Sequence, residues 1–376
     1  MNNHSELIKA KAFELGFNFF GITKPTKIIR FSAYKNWIKK KQYGNMNFLA
    51  NPNNLAVRED PSILLPGCKS IFVVGLQYSK NTEINDFPIQ GPSGKIASFA
   101  QGRDYHKIIL ENLDQLGLYI GSLFSDNHHS KAYCDSGPLL EKEIAQNTGI
   151  GWIGKNGLLI SPLIGSFFNL GEMLTDLEFE YDQAVSFDNC GDCQKCIDAC
   201  PTQCINTDRT IRADHCISYL SIENKGIIER ELRPMMSNWV FGCDICQLVC
   251  PWNKNVLNTS PKLSALEEGE IDLLEEINLT RESFKEKYQN RSILRATWSG
   301  FVRNIVISLG NLHESKSLPI LQNFLFSNPN PILRIHAAWS IAKIDHKCGK
   351  VIIEKALINE NDQRVIEEIK LSLFEN

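Results

Sequence analysis

No stretch of the 376-residue sequence approaches the roughly 18 consecutive apolar residues that a membrane-spanning helix needs. The opening segment, MNNHSELIKAKAFELGF, is amphipathic and has no long apolar centre of the kind that directs export. The expectation is a cytoplasmic protein with no membrane partner. An excess of one charge is also missing. Forty Lys and Arg stand against 43 Asp and Glu, a net of −3, so any nucleic-acid partner needs a local basic patch. With 43% hydrophobic and 22% charged residues, the composition excludes a disordered or fibrous chain. The length predicts two or three domains, and nothing demands an oligomer, so a monomer is expected.

What the sequence does have is cysteine: twelve residues, nine of them between positions 190 and 250, and eight of those nine at motif positions. Without an export signal, that crowding points to metal rather than to disulfides. Cys190, Cys193, Cys196 and Cys200-Pro201 follow the C-x2-C-x2-C-x3-C-P spacing of ferredoxins that carry two 4Fe–4S cubes. In that motif the fourth cysteine serves the other cluster, so a second copy is predicted. It is found as Cys243, Cys246 and Cys250-Pro251, with Cys216 supplying the missing front position. The crossed rule assigns Cys190, Cys193, Cys196 and Cys250 to one cluster, and Cys200, Cys216, Cys243 and Cys246 to the other. A pair of zinc sites is the competing reading, but zinc has no use for a third cysteine followed by Cys-Pro. Cys68, Cys134, Cys204 and Cys348 are left as small packing residues rather than ligands, although Cys204 lies near the array and Cys134 matters for its neighbour. Two clusters in series form a short wire that needs a terminal acceptor elsewhere in the chain.

In the N-terminal half, strand-like runs at 69–78 and 158–162 alternate with helical patterns at 104–124 and 138–148, which predicts an α/β or α+β domain. GIGWIGKN, residues 149–156, formally matches G-x-G-x-x-G, yet it follows a helix and leads into a strand, the reverse of a dinucleotide fingerprint. Its glycines are expected to let the backbone approach another large ligand. Asp135 follows the strand-like KAYCD and precedes Ser-Gly-Pro. It either faces a cleft or caps the helix beginning near Pro138. Arg58, Arg103 and His106 are further polar candidates.

From about residue 281 the pattern is purely helical, with segments near 296–310, 316–327, 331–344, 349–358 and 361–374. Arg303, Arg334 and Arg364 recur at intervals of 31 and 30, as in a stacked helical repeat, and the segment resembles a short HEAT-like array. At its entry, Arg281, Lys285, Lys287, Arg291, Arg295 and Arg303 surround Trp298. That composition fits either a phosphate-binding stripe with one stacking residue or a solvated helix face with a core tryptophan.

CDSGPLLEKEIAQNTGIGWIGKN, the eight-cysteine array and the helical tail occur together with NLAVREDPSILLPGCKSI (54–71), GRDYHK (102–107) and FGCDICQLVCPWN (241–253). In that order they resemble the epoxyqueuosine reductase family, enzymes of tRNA queuosine modification, over nearly the whole chain. The resemblance implies a multidomain α+β protein in three parts. Residues 1–180 would be an α/β cobalamin-binding domain similar to the reductive dehalogenase core. Residues 181–260 would be a ferredoxin-type domain with two 4Fe–4S clusters, and residues 275–376 a HEAT-like, tRNA-binding region. It further implies that Asp135 is the proton donor, and that cobalamin is contacted by Arg58, Ser98, Asp135, Asn156, Leu159, Leu170, Ser218 and Asp244. Position 98 is not the cysteine seen in some members. The anticodon stem-loop would meet Arg291, Arg295, Trp298 and Arg303, and a reductant protein or small-molecule donor would charge the clusters. The rival functions are a reductive dehalogenase acting on a small organohalide and an electron-transfer module that docks a redox partner.

Overall fold

The computed structural model describes residues 2–78, 91–124, 128–184, 188–254, 256 and 269–374. The chain divides into two units that interleave in sequence: Met1–Lys80, Gly102–Asp214 and Asp244–Ala265 form one, and Asn81–Gln101, His215–Cys243 and Leu266–Asn376 form the other. Three consecutive domains were expected. The difference lies in the cysteine-rich segment, which leaves the first unit between its two cysteine runs to contribute a helix and a strand to the second. In chain order the described strands are β1 (Phe19–Thr23), β2 (Ser70–Gln77), β3 (Ser93–Ile96), β4 (Ser130–Tyr133), β5 (Trp152–Ile153), β6 (Leu159–Ile160), β7 (Phe168–Thr175), β8 (Trp239–Phe241) and β9 (Glu270–Asp272).

The main sheet of the first unit runs β1-β2-β7-β4 with every pairing antiparallel, so the expected alternation resolves to α+β rather than α/β. All eight residues of β2 are buried, because side chains of period two enter a core on each face of the sheet. Phe72, Val74 and Leu76 join Ile8, Ile109 and Leu113 beneath the helices Asn2–Glu14 and Tyr105–Leu123. Ile71 and Val73 join Phe31, Leu139 and Ile144, on or beside the helices Phe31–Lys39 and Glu141–Gln146. Gly171 on β7 allows the long helix to lie close, since a Cβ there would sit 2.4 Å from Ile109 Cγ2. Asp104 starts that helix by accepting from the His106 N–H, within a residue of the predicted boundary.

β5 and β6 form a small hairpin. Within GIGWIGKN, Gly151 lets the hairpin close, since a Cβ there would meet the Ile160 carbonyl oxygen at 2.1 Å, and Gly149 has φ +77° and lies against the Gln183 carbonyl. Two short helices, Lys195–Asp198 and Ile245–Leu248, pack together and carry Cys196 and Cys246.

In the second unit β3 lies between β8, which is parallel to it, and β9, which is antiparallel. The helices Thr297–Asn311, Leu318–Ser327, Pro331–Ile344, His346–Asn359 and Gln363–Phe374 follow closely the five segments read from periodicity. Pro331–Ile344 packs against the other four, which is why PILRIHAAWSIAKI is apolar or small nearly all round. Asn330 caps it by accepting from the Ile332 N–H, and Pro331 occupies the first turn, where its missing N–H costs nothing.

Candidate active site and metal centre

β4 delivers the chain to Cys134, whose buried thiol donates to the Leu170 carbonyl at 3.3 Å, and then to Asp135. Asp135 has φ +54°, a left-handed conformation that costs a non-glycine residue about 1 kcal/mol or more. A hydrogen bond from its N–H to Glu141 Oε1 at 2.5 Å holds it there. The Asp135 carboxylate does not cap the following helix, which begins at Glu141 after Leu140. It faces His106 instead.

His106 stands between two carboxylates, with Nδ1 2.7 Å from Asp104 Oδ1 and Nε2 3.2 Å from Asp135 Oδ2. The Tyr105 ring stacks on the imidazole with centroids 4.0 Å apart. Burial opposes the charged imidazole, but the hydrogen bonds and charges of Asp104 and Asp135 outweigh it and push His106 up to about 9. Desolvation likewise raises Asp135, although its side chain is 62% exposed, and His106 more than offsets this, holding the carboxyl below its ordinary value. At neutral pH the pair therefore carries its proton on His106, with Asp135 ionised.

Beneath Asp135 lies a second acid pair. Glu141 is pushed up to about 7 by burial and by the charge of Asp135. Glu172, fully buried on β7, is raised well above its ordinary value by burial, by the charge of Glu141 and by the hydrogen bond the two carboxyls share. Sequence reading missed Asp104, Tyr105, Glu141 and Glu172. The signal for Glu172 was available, as a single charge inside FNLGEMLT, a strand otherwise free of ionisable residues.

The expected cofactor contacts are divided between the units. In the first, Arg58 is 5% exposed on the helix Pro52–Glu59, over the Tyr34 ring, and its Nη1 has no hydrogen-bond partner. Asn156 is equally buried; its Oδ1 accepts from the Leu158 N–H while its Nδ2 has no partner. Leu159 and Leu170 belong to one apolar cluster that also includes Tyr133, Leu139 and Ile153. Asp244 is buried beside Gln247, whose Nε2 lies 3.4 Å from Asp244 Oδ1. Ser98, buried, and Ser218, half-buried, belong to the second unit.

The structure draws Cys190, Cys193, Cys196 and Cys250 together. Burial raises the Cys196 thiol and the charges of Cys190 and Cys250 raise it further; burial also raises Cys250, which feels Cys190 and Cys193. Among the described residues no three His, Cys, Asp or Glu side chains converge on a single-ion site. A cube asks for something different, one thiolate at each of four separated corners. Trp152 Nε1 donates to Cys190 Sγ at 3.5 Å, and Trp152, Ile160 and Trp252 enclose Cys190 and Cys250 in one apolar cluster. Cys200 turns elsewhere, with its Sγ 3.5 Å from Cys204 Sγ and 3.6 Å from Thr202 Oγ1. Cys204 thus lies beside the array as its sequence position suggests, in contact with an expected ligand. Cys348 is exposed and not a packing residue at all.

The basic stripe is corrected in part. Arg303 is fully buried, and all five of its N–H donors are used, on the carbonyls of Leu220, Asn224 and Gly226 and on Asn304 Oδ1. No phosphate reaches it. Arg291 donates to the Ala100 and Gln101 carbonyls, and Trp298 gives its N–H to Leu279 O beneath the Arg281 guanidinium. Arg295 is 58% exposed and forks onto Glu223 at 2.8 and 3.0 Å. The recurring arginines also occupy unequal settings, since Arg334 grips Glu360 and Arg364 is an exposed partner of Asp362.

An antiparallel sheet that presents a protonated His–Asp pair, in a chain whose cysteines gather for an iron–sulfur cube, defines an iron–sulfur oxidoreductase. Residues 189–253 match the model described as a 4Fe-4S double cluster binding domain, and residues 58–136 match "Epoxyqueuosine reductase QueG, DUF1730". The epoxyqueuosine reductase of Escherichia coli is 34% identical over 377 residues, covering 99% of this chain and 97% of its own. That of Cyclobacterium marinum is 36% identical over 310 residues, 81% of this chain and 96% of its own. Two solved structures each align with a TM-score of 0.90 at 30% identity, over 99% of this chain and 98% of theirs. One is an epoxyqueuosine reductase with an epoxyqueuosine-modified tRNA-Tyr stem loop; the other, from Bacillus subtilis, has its catalytic loop swung out of the active site. The chain belongs to the epoxyqueuosine reductase family.

Proposed function

We propose that this protein reduces the epoxide of epoxyqueuosine at the tRNA wobble position to give queuosine. The reaction consumes two electrons and two protons and releases the epoxide oxygen as water. The observation that carries this reading is the Asp104–His106–Asp135 array at the end of β4, in a chain of this family. Breaking the C–O bonds produces an alkoxide, a poor leaving group until an acid neutralises it. Asp135 hands over the proton, and His106 holds it until then.

Cobalamin, when bound, supplies the low-potential electrons for C–O cleavage. The residues present fit it. Arg58 Nη1 and Asn156 Nδ2 are buried donors without partners, suited to the amide-rich rim of a corrin, and Leu159 and Leu170 offer apolar contact. Ser98, Ser218 and Asp244 are carried with them from the family resemblance. Cys190, Cys193, Cys196 and Cys250 hold the first cluster, and Cys200, Cys216, Cys243 and Cys246 the second. A reductant protein or small molecule charges them. The target base is splayed out of its loop into the site, as single-stranded recognition requires. Residues 275–376 form a HEAT-like, tRNA-binding region in which Arg295, 58% exposed although paired with Glu223, is better placed than the buried Arg303 to meet phosphate.

The test is anaerobically reconstituted protein with cobalamin, a strong reductant and epoxyqueuosine tRNA, read by mass spectrometry of the digested nucleosides. Loss of one oxygen from the modified nucleoside is expected. Unchanged tRNA from protein that holds both clusters and corrin would reject the assignment.

A further inference from the structure

We propose that Trp152 sets the reduction potential of the cluster held by Cys190, Cys193, Cys196 and Cys250, by donating its indole N–H to the Cys190 sulfur. This positioning role rests on the iron–sulfur reading above and gives β5 a task within it. Trp152 is 2% exposed, and its Nε1 lies 3.5 Å from Cys190 Sγ. The ring is wedged edge-on against Trp252, with centroids 5.0 Å apart at 75°, and Trp252 is itself fixed by donating to the Asn189 carbonyl at 3.3 Å. Ile160 closes the same cluster.

A core residue chosen for shape alone could be phenylalanine. Tryptophan adds one donor and no acceptor, and here that donor is directed at a ligand sulfur. Three nearby charged side chains are occupied with the backbone or with each other. Lys155 donates to the Gly191 carbonyl at 2.7 Å, Asp188 accepts the Cys190 N–H at 2.9 Å, and Arg209 pairs with Asp188 while donating to Ile153 O.

One-electron reduction adds a unit of negative charge, spread over the cube and its thiolates, and moves no proton. An N–H pointing at a thiolate is held more tightly in the reduced state, so it raises the potential, and burial under two indoles limits how much water can do the same. Removing the donor should shift the oxidised-to-reduced balance about tenfold toward oxidised, equivalent to about 59 mV for a one-electron couple.

The experiment is an EPR-monitored redox titration of the full chain with reconstituted clusters. Trp152→Phe should lower one cluster's potential by about that amount. Trp252→Phe, which removes an N–H bonded to backbone and keeps the aromatic contact, should leave it nearly unchanged. No shift in Trp152→Phe, or equal shifts in both variants, would overturn the proposal. A second measurement avoids altering Trp152 at all. With nitrogen-15 in the indoles, the reduced parent protein should show a hyperfine coupling to an indole nitrogen that survives Trp252→Phe. Its absence also overturns the proposal. A parent protein with no cube signal would instead defeat the iron–sulfur reading, and that failure is visible before any variant is made.

Discussion

Replacing His106 by Gln isolates the proton supply. With Asp104 and Asp135 on either side, the imidazole is pushed up to about 9, so the His106–Asp135 pair remains protonated across the neutral range. In His106→Gln the store is Asp135 alone. At an ordinary carboxylate value near 3.9, about one molecule in a thousand would be protonated at pH 7. In the parent the stored proton passes through Asp135 to the departing oxygen without resting on the carboxylate, whereas the variant must draw each proton from solvent, so turnover at pH 7 should fall at least about tenfold. The shape of the profile is more telling. Single-turnover rates of the parent should be flat from pH 6 to near 9 and then decline, whereas the variant's should fall about tenfold per unit across the whole range. Stability should change with the opposite emphasis. Because the folded value is raised, the stabilisation is complete below about 6.5 and is lost as pH rises through about 9. The shift corresponds to about 3 kcal/mol, reduced to about 2 kcal/mol because Asp135 is 62% exposed and screened. A variant whose rate at pH 7 is within threefold of the parent, or whose profile stays flat, would refute this account of His106.

Asp135→Asn should abolish turnover while leaving the iron–sulfur and corrin absorption bands in place; near-normal activity would remove Asp135 from the mechanism. Arg58→Met should weaken cobalamin binding in equilibrium dialysis, since an unpaired buried donor awaits an acceptor there, and unchanged affinity would move the corrin away from that helix. Arg303→Met should lower stability by about 3–5 kcal/mol in urea unfolding, because three carbonyls lose their donors in a dry interior. The salt dependence of tRNA binding should not change in whatever folded Arg303→Met protein remains, whereas Arg295→Ala should flatten it.

Regular elements and covalent spacings were legible because they are written locally. The helix at 105–123 carries its own cap, and the cysteine spacing predicts the iron–sulfur domain whose model matches residues 189–253. What escaped depends on contacts between distant segments. Periodicity could not tell Arg303 from Arg364, since both precede apolar residues at helical spacing, yet one is enclosed by the carbonyls of 220–226 and the other lies in solvent. Asp135 was ambiguous between capping and catalysis because only the fold brings the GRDYHK turn against it. The crowding of Gly151 by the Ile160 carbonyl was equally hidden, because the hairpin that brings them together is not written in the GIGWIGKN pattern.

In the arrangement proposed above, the crossed cysteine set would also act as a cross-link. A cube joining Cys190 to Cys250 would close a loop of 60 residues, 250 minus 190, which for a single bridge restricts the unfolded chain by about 4 kcal/mol. That loop contains all of His215–Cys243, the segment lent to the second unit. During synthesis Cys190, Cys193 and Cys196 emerge as a three-cornered cradle that stays incomplete until position 250 has been made. Iron delivered too early would meet an open corner, and oxygen damage to the finished cube would release one of the long tethers on which the interleaved fold depends.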